Sequence, residues 1–476
     1  MKRNNRINTG MLRSMTLFTL MISVILSLES CPGHTPQSPT YALPPSLQVS
    51  PDSSIKWVDW IVLFKPASTY AERTLYMDNL RDSIIQFVAR MNHDSNRNDP
   101  LDVQYVFCPC DSLLYNLVAT TSITATGTIA TSPTPPPKTG ASGDPYLYAI
   151  QNNQYQDSTT ARNLESPSPK SGSYTVDSSR VLAIMDTGLD STLFDNNFKY
   201  LLWSDPTGEP TLRNFQFFSN LKGLDYYLDD DPFKHGSAVT SLALEAIRKY
   251  NPRNNKLPRI MVLKVLDSKR LGSTFTVSCA LSYAVQKKAT LVNASLGYYS
   301  NGEVDSVLRY YVEFSKNAKP NPLPIIAAAG NLTGKHDLDL CTPATDLNKN
   351  KLTKTHLFYP GCFSPDYINV ICVTGLKNDH MPCYYQNYSP EYVNIGVITN
   401  PPPGPAAYCC NFPVSFFNNS RRGYEGSSFA TPVVSGQIMA AMLINQVLTW
   451  RDALSQVGVT STGSVSKKVL PYNSTP

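Results

Sequence analysis

The strongest constraint on the fold is an alternation of buried-strand and helix patterns that runs from Ser179 to Leu448. "RVLAIMDTG" (Arg180 to Gly188) is a nearly continuous apolar run closed by a turn, the pattern of a strand covered on both faces. "HGSAVTSLALEAI" then reads as a helix, "PRIMVLKVLD" as a second buried strand and "TVSCALSYAVQKK" as another helix. The series continues with the strand "ATLVNASLG", the helix "LRYYVEFSKN" and the strands "PLPIIAAAGN" and "INVICVTG". It predicts an α/β fold, with a largely parallel central sheet, helices on both faces and right-handed crossovers. Ligands of such sheets sit beyond the carboxyl ends of the strands.

Four polar residues fall at that edge. Asp186 ends the first buried strand, His235 opens the following helix, Asn331 follows a later strand, and Ser428 opens the helix of "GSSFATPVVSG". Each alone has an ordinary structural reading: a turn-former, a cap, a loop residue, a helix N-cap. Capping accounts for one of the adjacent serines, Ser427 and Ser428, and Pro432 fits early in that helix, where a missing N–H costs little. A nucleophile accounts for the second serine, because free N–H groups and the helix dipole favour developing negative charge there.

With these motifs in this order, the sequence resembles the subtilisin-like serine proteases, the subtilases, over roughly Ser179 to Leu448. The resemblance implies that Ser428 attacks a peptide carbonyl, that His235 takes and returns the proton, and that Asp186 holds the imidazole's tautomer. It implies that the Asn331 amide and the Ser428 backbone N–H bind the oxyanion. It makes Ser295, Leu296 and Gly297 one wall of the substrate cleft and Ala328, Ala329 and Gly330 the other; close packing is the bland reading of these small residues. Phe358, in "FYPG", matches the base of the pocket for the side chain on the acyl side of the scissile bond, or else turns into the core. The implied substrate is a polypeptide; no cofactor is expected, and the absence of a CxxC pair or a His cluster with zinc spacing indicates no metal site. One departure follows the His motif: Ser237 to Ser241 read Ser-Ala-Val-Thr-Ser where the family commonly has Thr-His-Val-Ala-Gly, though Val239 keeps the apolar face. Asp229, Asp230 and Asp231 read as a solvated loop rather than a calcium site. The rival function is a non-catalytic subtilase-fold surface lipoprotein that binds peptides; the joint presence of Asp186, His235, Asn331 and Ser428 argues against it. An α/β-hydrolase esterase fails on residue order and on "GSSFA", which lacks the second glycine of the nucleophile elbow.

The rest of the chain reads as export and maturation. Residues 1–30 form a signal peptide, with Lys2, Arg3, Arg6 and Arg13 ahead of an apolar stretch from Met15 to Leu28. It ends in "LES" before Cys31, which resembles a bacterial lipoprotein signal that directs lipid to the cysteine and so anchors the chain to a membrane. Glu29 departs from that pattern, and ordinary secretion is the alternative. Residues 31–54 read as a Pro/Ser-rich tether. Residues 55–119 are an α+β unit: the strand "KWVDWIVLFKP", a helix carrying Leu75, Leu80, Ile84, Phe87, Val88 and Met91, and the strands "VQYVF" and "LLYNLVA". This unit is similar to the inhibitory propeptide of subtilases, which makes it a partner of the peptidase domain. Residues 120–179, rich in Thr, Ser, Pro, Gly and Asn, read as a flexible linker, 180–460 as the peptidase domain and 461–476 as a C-terminal tail.

Ten cysteines in an exported chain suggest disulfides, with Cys279, in an apolar helix, the candidate buried thiol. Cys341, Cys362, Cys372, Cys383, Cys409 and Cys410 lie between Asn331 and Ser428 and read as staples of surface loops. Cys108 and Cys110 depart from the propeptide pattern and suggest a domain that is retained. The net charge of +5 is mild and scattered, which gives no argument for nucleic acid as a partner.

Overall fold

The computed structural model describes residues 54–95, 101–122, 136–156, 160–164, 174–204, 215–216, 227–252, 255–300, 303–332, 347–399, 411–416 and 421–472, apart from 109, 384, 447, 458, 461–464 and 466–467. The signal-like segment, the tether to residue 53 and Cys31, Cys341, Cys409 and Cys410 lie outside them.

The described residues open with β1 (Ser54–Phe64), α1 (Tyr70–Ser95), β2 (Leu101–Cys108), β3 (Asp111–Ser122) and β4 (Tyr146–Gln151), and the four strands form an antiparallel sheet in the order β2-β3-β1-β4. The continuous apolar run in β1 reflects burial on both faces. Val58, Trp60, Val62 and Phe64 pack with Met77 and Ile84 of α1, while Ile61 and Leu63 join the core of the larger domain. The α1 stripe differs from the expected one. Leu75 is 63% exposed, and the helix meets the sheet through Arg73, Met77 and Ile84, with Leu80 partly buried beside them.

Two short strands follow, β5 (Gln154–Gln156) and β6 (Thr160–Leu164). The larger domain then contributes β7 (Thr175–Asp186), β8 (Phe215–Gln216), α2 (His235–Tyr250), β9 (Lys256–Lys264), β10 (Leu271–Ser273), α3 (Thr274–Gln286), β11 (Leu291–Ala294), β12 (Tyr298–Ser300) and α4 (Ser306–Lys316). After these come β13 (Ile325–Ala328), β14 (Leu357–Tyr359), β15 (Val370–Leu376), β16 (Ile395–Thr399), β17 (Asn411–Ser415), β18 (Arg421–Glu425), α5 (Ser427–Ile444), α6 (Trp450–Gln456), β19 (Val459–Thr460) and β20 (Lys468–Tyr472).

The central sheet has nine strands in the order β19-β20-β16-β15-β13-β11-β7-β9-β8, and every pairing is parallel except β19 with β20. In β7, Leu182 and Ile184 pack among residues of α2 and α5 such as Leu242 and Val433. Ala183 and Met185 pack on the other face with residues of α3 and α4 such as Val277 and Leu308. Two-sided burial is the reason these strands carry no polar alternation. Helix α5 is long and apolar enough to cross a membrane, but 89% of it is buried, as suits a central core helix.

Several expectations are corrected here. Residues 120–179 do not form a featureless linker: β4 completes the N-terminal sheet, β5 pairs with β10, and β6 pairs with β18. Their polar composition hid them, because backbone pairing carries these strands; among the described side chains, Tyr146, Ala149, Asn152 and Tyr155 are buried. The segment 461–476 is no simple tail, since β20 pairs with β16 inside the central sheet. Cys279 is not a thiol. It is bonded to Cys108 of β2 (S–S 1.98 Å, Cα–Cα 5.8 Å). Cys362 and Cys372 are buried thiols in the core rather than loop staples, whereas Cys383 is disulfide-bonded.

Candidate functional site

Asp186 is the last residue of β7, between β11 and β9. Its carbonyl accepts the amides of Val265 (2.9 Å) and Leu266 (3.2 Å), which pins the strand end. Its Oδ1 accepts from Thr187 N at 2.7 Å and lies 2.6 Å from His235 Nδ1. The two side chains are 0% and 1% exposed, so the contact gives the buried carboxylate a hydrogen-bond partner that offsets part of the cost of its burial.

His235 is the first residue of α2, entered through Lys234 in the left-handed region (φ 57°). Two of the three aspartates before it, Asp229 and Asp231, are buried rather than solvated, while Asp230 stays exposed. Asp231 Oδ2 accepts His235 N at 3.0 Å. Asp229 accepts from Ser237 N (2.9 Å), Ser237 Oγ (2.7 Å) and Thr187 Oγ1 (2.8 Å). Burial raises the Asp229 carboxyl to about 6, with the Asp186 charge adding to the rise and the Ser237 and Thr187 hydrogen bonds opposing it. Asp230 pairs with Lys264, whose buried Nζ also donates to Thr187 O. Free N–H donors at the first turn of a helix call for such acceptors nearby; a run of three acids gives no hint that each has its own partner. The Ser237 departure is explained in the same way, because its hydroxyl joins Asp229 to the Asp190 amide (2.9 Å).

Ser427 and Ser428 open α5 after Gly426, whose φ of 136° is a glycine conformation. Neither serine caps the helix by its side chain. Ser427 Oγ donates to Gly330 O and accepts from Gly330 N, both at 3.0 Å. Ser427 N donates to Asn331 Oδ1 at 2.9 Å. Pro432 sits deeper in α5 than a first-turn proline, so the helix bond it would have donated to Ser428 O is missing. Ser295 Oγ fills that place at 2.7 Å, and it is itself held by Asn293 Nδ2 at 2.9 Å. The Phe429 ring, next in sequence to Ser428, packs 4.8 Å from the imidazole of His235. Sequence reasoning missed these supports: a positioning hydroxyl and a burial-tolerant small residue look alike in a pattern of small residues.

The two segments expected to be cleft walls, Ser295–Leu296–Gly297 and Ala328–Ala329–Gly330, are buried and face each other across Phe358. A Cβ on Gly297 would collide with the Phe358 ring, and one on Gly330 would lie 2.6 Å from it. Tyr299 packs edge-on against the same ring at 5.0 Å, and its hydroxyl donates to Asn331 O at 2.7 Å. Among the described residues there is no group of three or more His, Cys, Asp or Glu placed to hold a metal ion.

The parallel sheet, the buried Asp–His pair at its edge and the serine at a helix N-terminus meet a match to a model of the subtilase family that covers residues 177–470. The chain belongs to the subtilase family. Its domain is therefore of the serine-protease type. It is also similar to subtilisin-like protease 1 of Plasmodium berghei (strain Anka), with 22% identity over 232 residues, which is 47% of this chain and 35% of that protein. This subtilase chain thus spans well under two thirds of the length of that relative.

Proposed function

We propose that this subtilase is an exported serine endopeptidase in which Ser428 is the nucleophile, His235 the general base and then acid, and Asp186 the group that fixes the imidazole. The observation that carries this reading is the buried 2.6 Å contact between Asp186 and His235 beside the start of α5. A proton held between Asp186 Oδ1 and His235 Nδ1 leaves Nε2 as the basic nitrogen, the tautomer that a serine base requires. As Ser428 Oγ adds to the carbonyl, His235 takes its proton and later gives it to the leaving amine. Asp186 then stabilises the imidazolium. The oxyanion is bound by the Asn331 side-chain NH2 and the Ser428 backbone N–H. Asn331 suits that task because Ser427 N occupies its Oδ1 and so orients the amide. The export signal, with Cys31 as a lipid anchor or with ordinary secretion, places the enzyme at or beyond the cell envelope, acting on polypeptides.

The same reading makes residues 55–119 together with β4 a propeptide that the enzyme cuts from itself. Two backbone pairings support it. β5 lies antiparallel on β10, and β6 lies antiparallel on β18, the strand that runs through Gly426 into Ser427 and Ser428. An extended peptide bound by strand addition on each side of a serine nucleophile is a substrate's binding mode. The scissile bond then lies between Gln156 and Thr160. Tyr155, fully buried with its ring 4.9 Å from that of Tyr298, anchors the acyl side.

Two measurements test this. A fluorophosphonate probe should label one tryptic peptide, the one containing Ser428; labelling elsewhere removes the assignment. Mass spectrometry of the matured protein should find a new N-terminus between residues 157 and 160. A mature N-terminus outside that window, or an uncut active chain, overturns the processing scheme.

A further inference from the structure

The Cys108–Cys279 bond crosses the boundary between the two domains, and it also crosses the proposed cut. Cys108 lies on β2 of the N-terminal sheet, Cys279 on α3 of the peptidase domain, and the segment that joins β5 to β6 lies between them in sequence. We propose that the N-terminal domain remains covalently attached to the peptidase domain after the chain is cut, as a disulfide-retained subunit that keeps the cleft occupied until the bridge is reduced. This inference rests on the peptidase reading above for what the cleft does, but the attachment itself does not.

The interface around the bridge is built to hold. Asp111 Oδ2 accepts from Tyr311 OH of α4 at 2.7 Å and from Ser282 Oγ of α3 at 3.3 Å. Gln286 Nε2 of α3 donates to Cys110 O at 2.7 Å. The first turn of α3 is capped by the N-terminal side: Thr274 N donates to Asn153 O (3.0 Å) and Phe275 N to Asn152 Oδ1 (3.1 Å). Asn152 is in turn held by Asp59 of β1 at 2.9 Å. Ile61, Leu63, Cys108, Leu114 and Tyr155 are buried in one core with residues of α3 and α4.

A cut between Gln156 and Thr160 leaves β5, with Tyr155, at the free end of the retained fragment. The bridge converts its dissociation into an intramolecular event, with an effective concentration on the order of millimolar and an apparent gain of about 10²- to 10⁴-fold over the untethered fragment. Hydrolysis alone therefore does not empty the cleft. Both cysteines are buried, at 0% and 1% exposure, so exchange proceeds from an opened form of the interface. In that step a dithiol reductant supplies two electrons and two protons. The Cys108–Cys279 bond breaks to two thiols, and the reductant closes to its own disulfide.

The test separates attachment from self-cutting. A site for a sequence-specific protease is placed within residues 165–173 of the full chain carrying Ser428→Ala, and the chain is nicked by the added protease. Denaturing electrophoresis without reductant should give one species of full mass, and dithiothreitol should resolve it into two. Two species without reductant overturn the bridge. In parallel, the self-processed wild type is diluted and assayed on a peptide substrate. Dithiothreitol should raise its rate by about 10²-fold and release the fragment in gel filtration. A fragment that stays bound, with an unchanged rate, after complete reduction overturns the retention role. The double variant Cys108→Ser/Cys279→Ser should be fully active without reductant. If it does not fold, the self-processed and reduced wild type still decides.

Discussion

Ser428→Ala is expected to abolish peptide hydrolysis, with a loss of about a million-fold in turnover, the scale seen when a serine protease loses its nucleophile. The fold should survive. Ser428 is 3% exposed, its carbonyl is held by Ser295, and Ser427 N is held by Asn331 at the helix start. Thermal unfolding within a few degrees of the wild type, no fluorophosphonate labelling and an uncut chain between Gln156 and Thr160 form the expected set of results. Retention of wild-type turnover on casein would remove Ser428 from the chemistry. Absence of turnover in the wild type as well would favour the peptide-binding alternative, so both proteins are assayed together.

The parts of this molecule that were legible in the sequence are those where burial writes a pattern. The segments Val181–Met185 of β7, Ile260–Leu263 of β9, Ile325–Ala328 of β13 and Val370–Val373 of β15 are apolar throughout because helices cover both faces, and turns with Asp, His, Asn and Ser punctuate them at one edge. What was not legible depends on pairing rather than composition. β5 and β6 are polar strands held by β10 and β18, which lie far away along the chain. Asp229, Asp230 and Asp231 look like a solvated acidic run, yet two of them are buried at 0% and 1% exposure because Ser237, Thr187 and the His235 amide reach them. Cys279 looked like a core thiol because periodicity reports that a residue is buried and not which domain covers it. Its neighbour across that boundary, Cys108, was visible only as a departure. The positioning hydroxyls of Ser295 and Ser427 were hidden for a related reason: a small side chain chosen for space and one chosen for a hydrogen bond leave the same letter.

Phe358 is expected to set the specificity. Its ring fills the gap between Gly297 and Gly330, and Tyr299 braces it; under the proposed peptidase reading, the side chain on the acyl side of the scissile bond enters at this gap. A large side chain forced into a filled pocket costs about 1–3 kcal/mol, which is roughly a 5- to 150-fold preference when expressed in the transition state. The wild type should therefore cleave after small residues such as Ala in preference to Phe or Tyr. The chain's own sequence agrees, since the residues between Gln156 and Thr160 are Asp157, Ser158 and Thr159, none with a large apolar side chain. Phe358→Gly should open the pocket and shift the preference toward Phe, Leu and Tyr. Emptying a site that a buried phenyl ring fills destabilises by about 3–5 kcal/mol, so the variant is profiled well below its own melting temperature, beside Phe358→Leu, which keeps most of the volume. A peptide-library cleavage profile reads the outcome. Strong wild-type preference for Phe, Tyr or Leu would mean that the ring yields to substrate, and the assignment of Phe358 as the pocket's floor would fall.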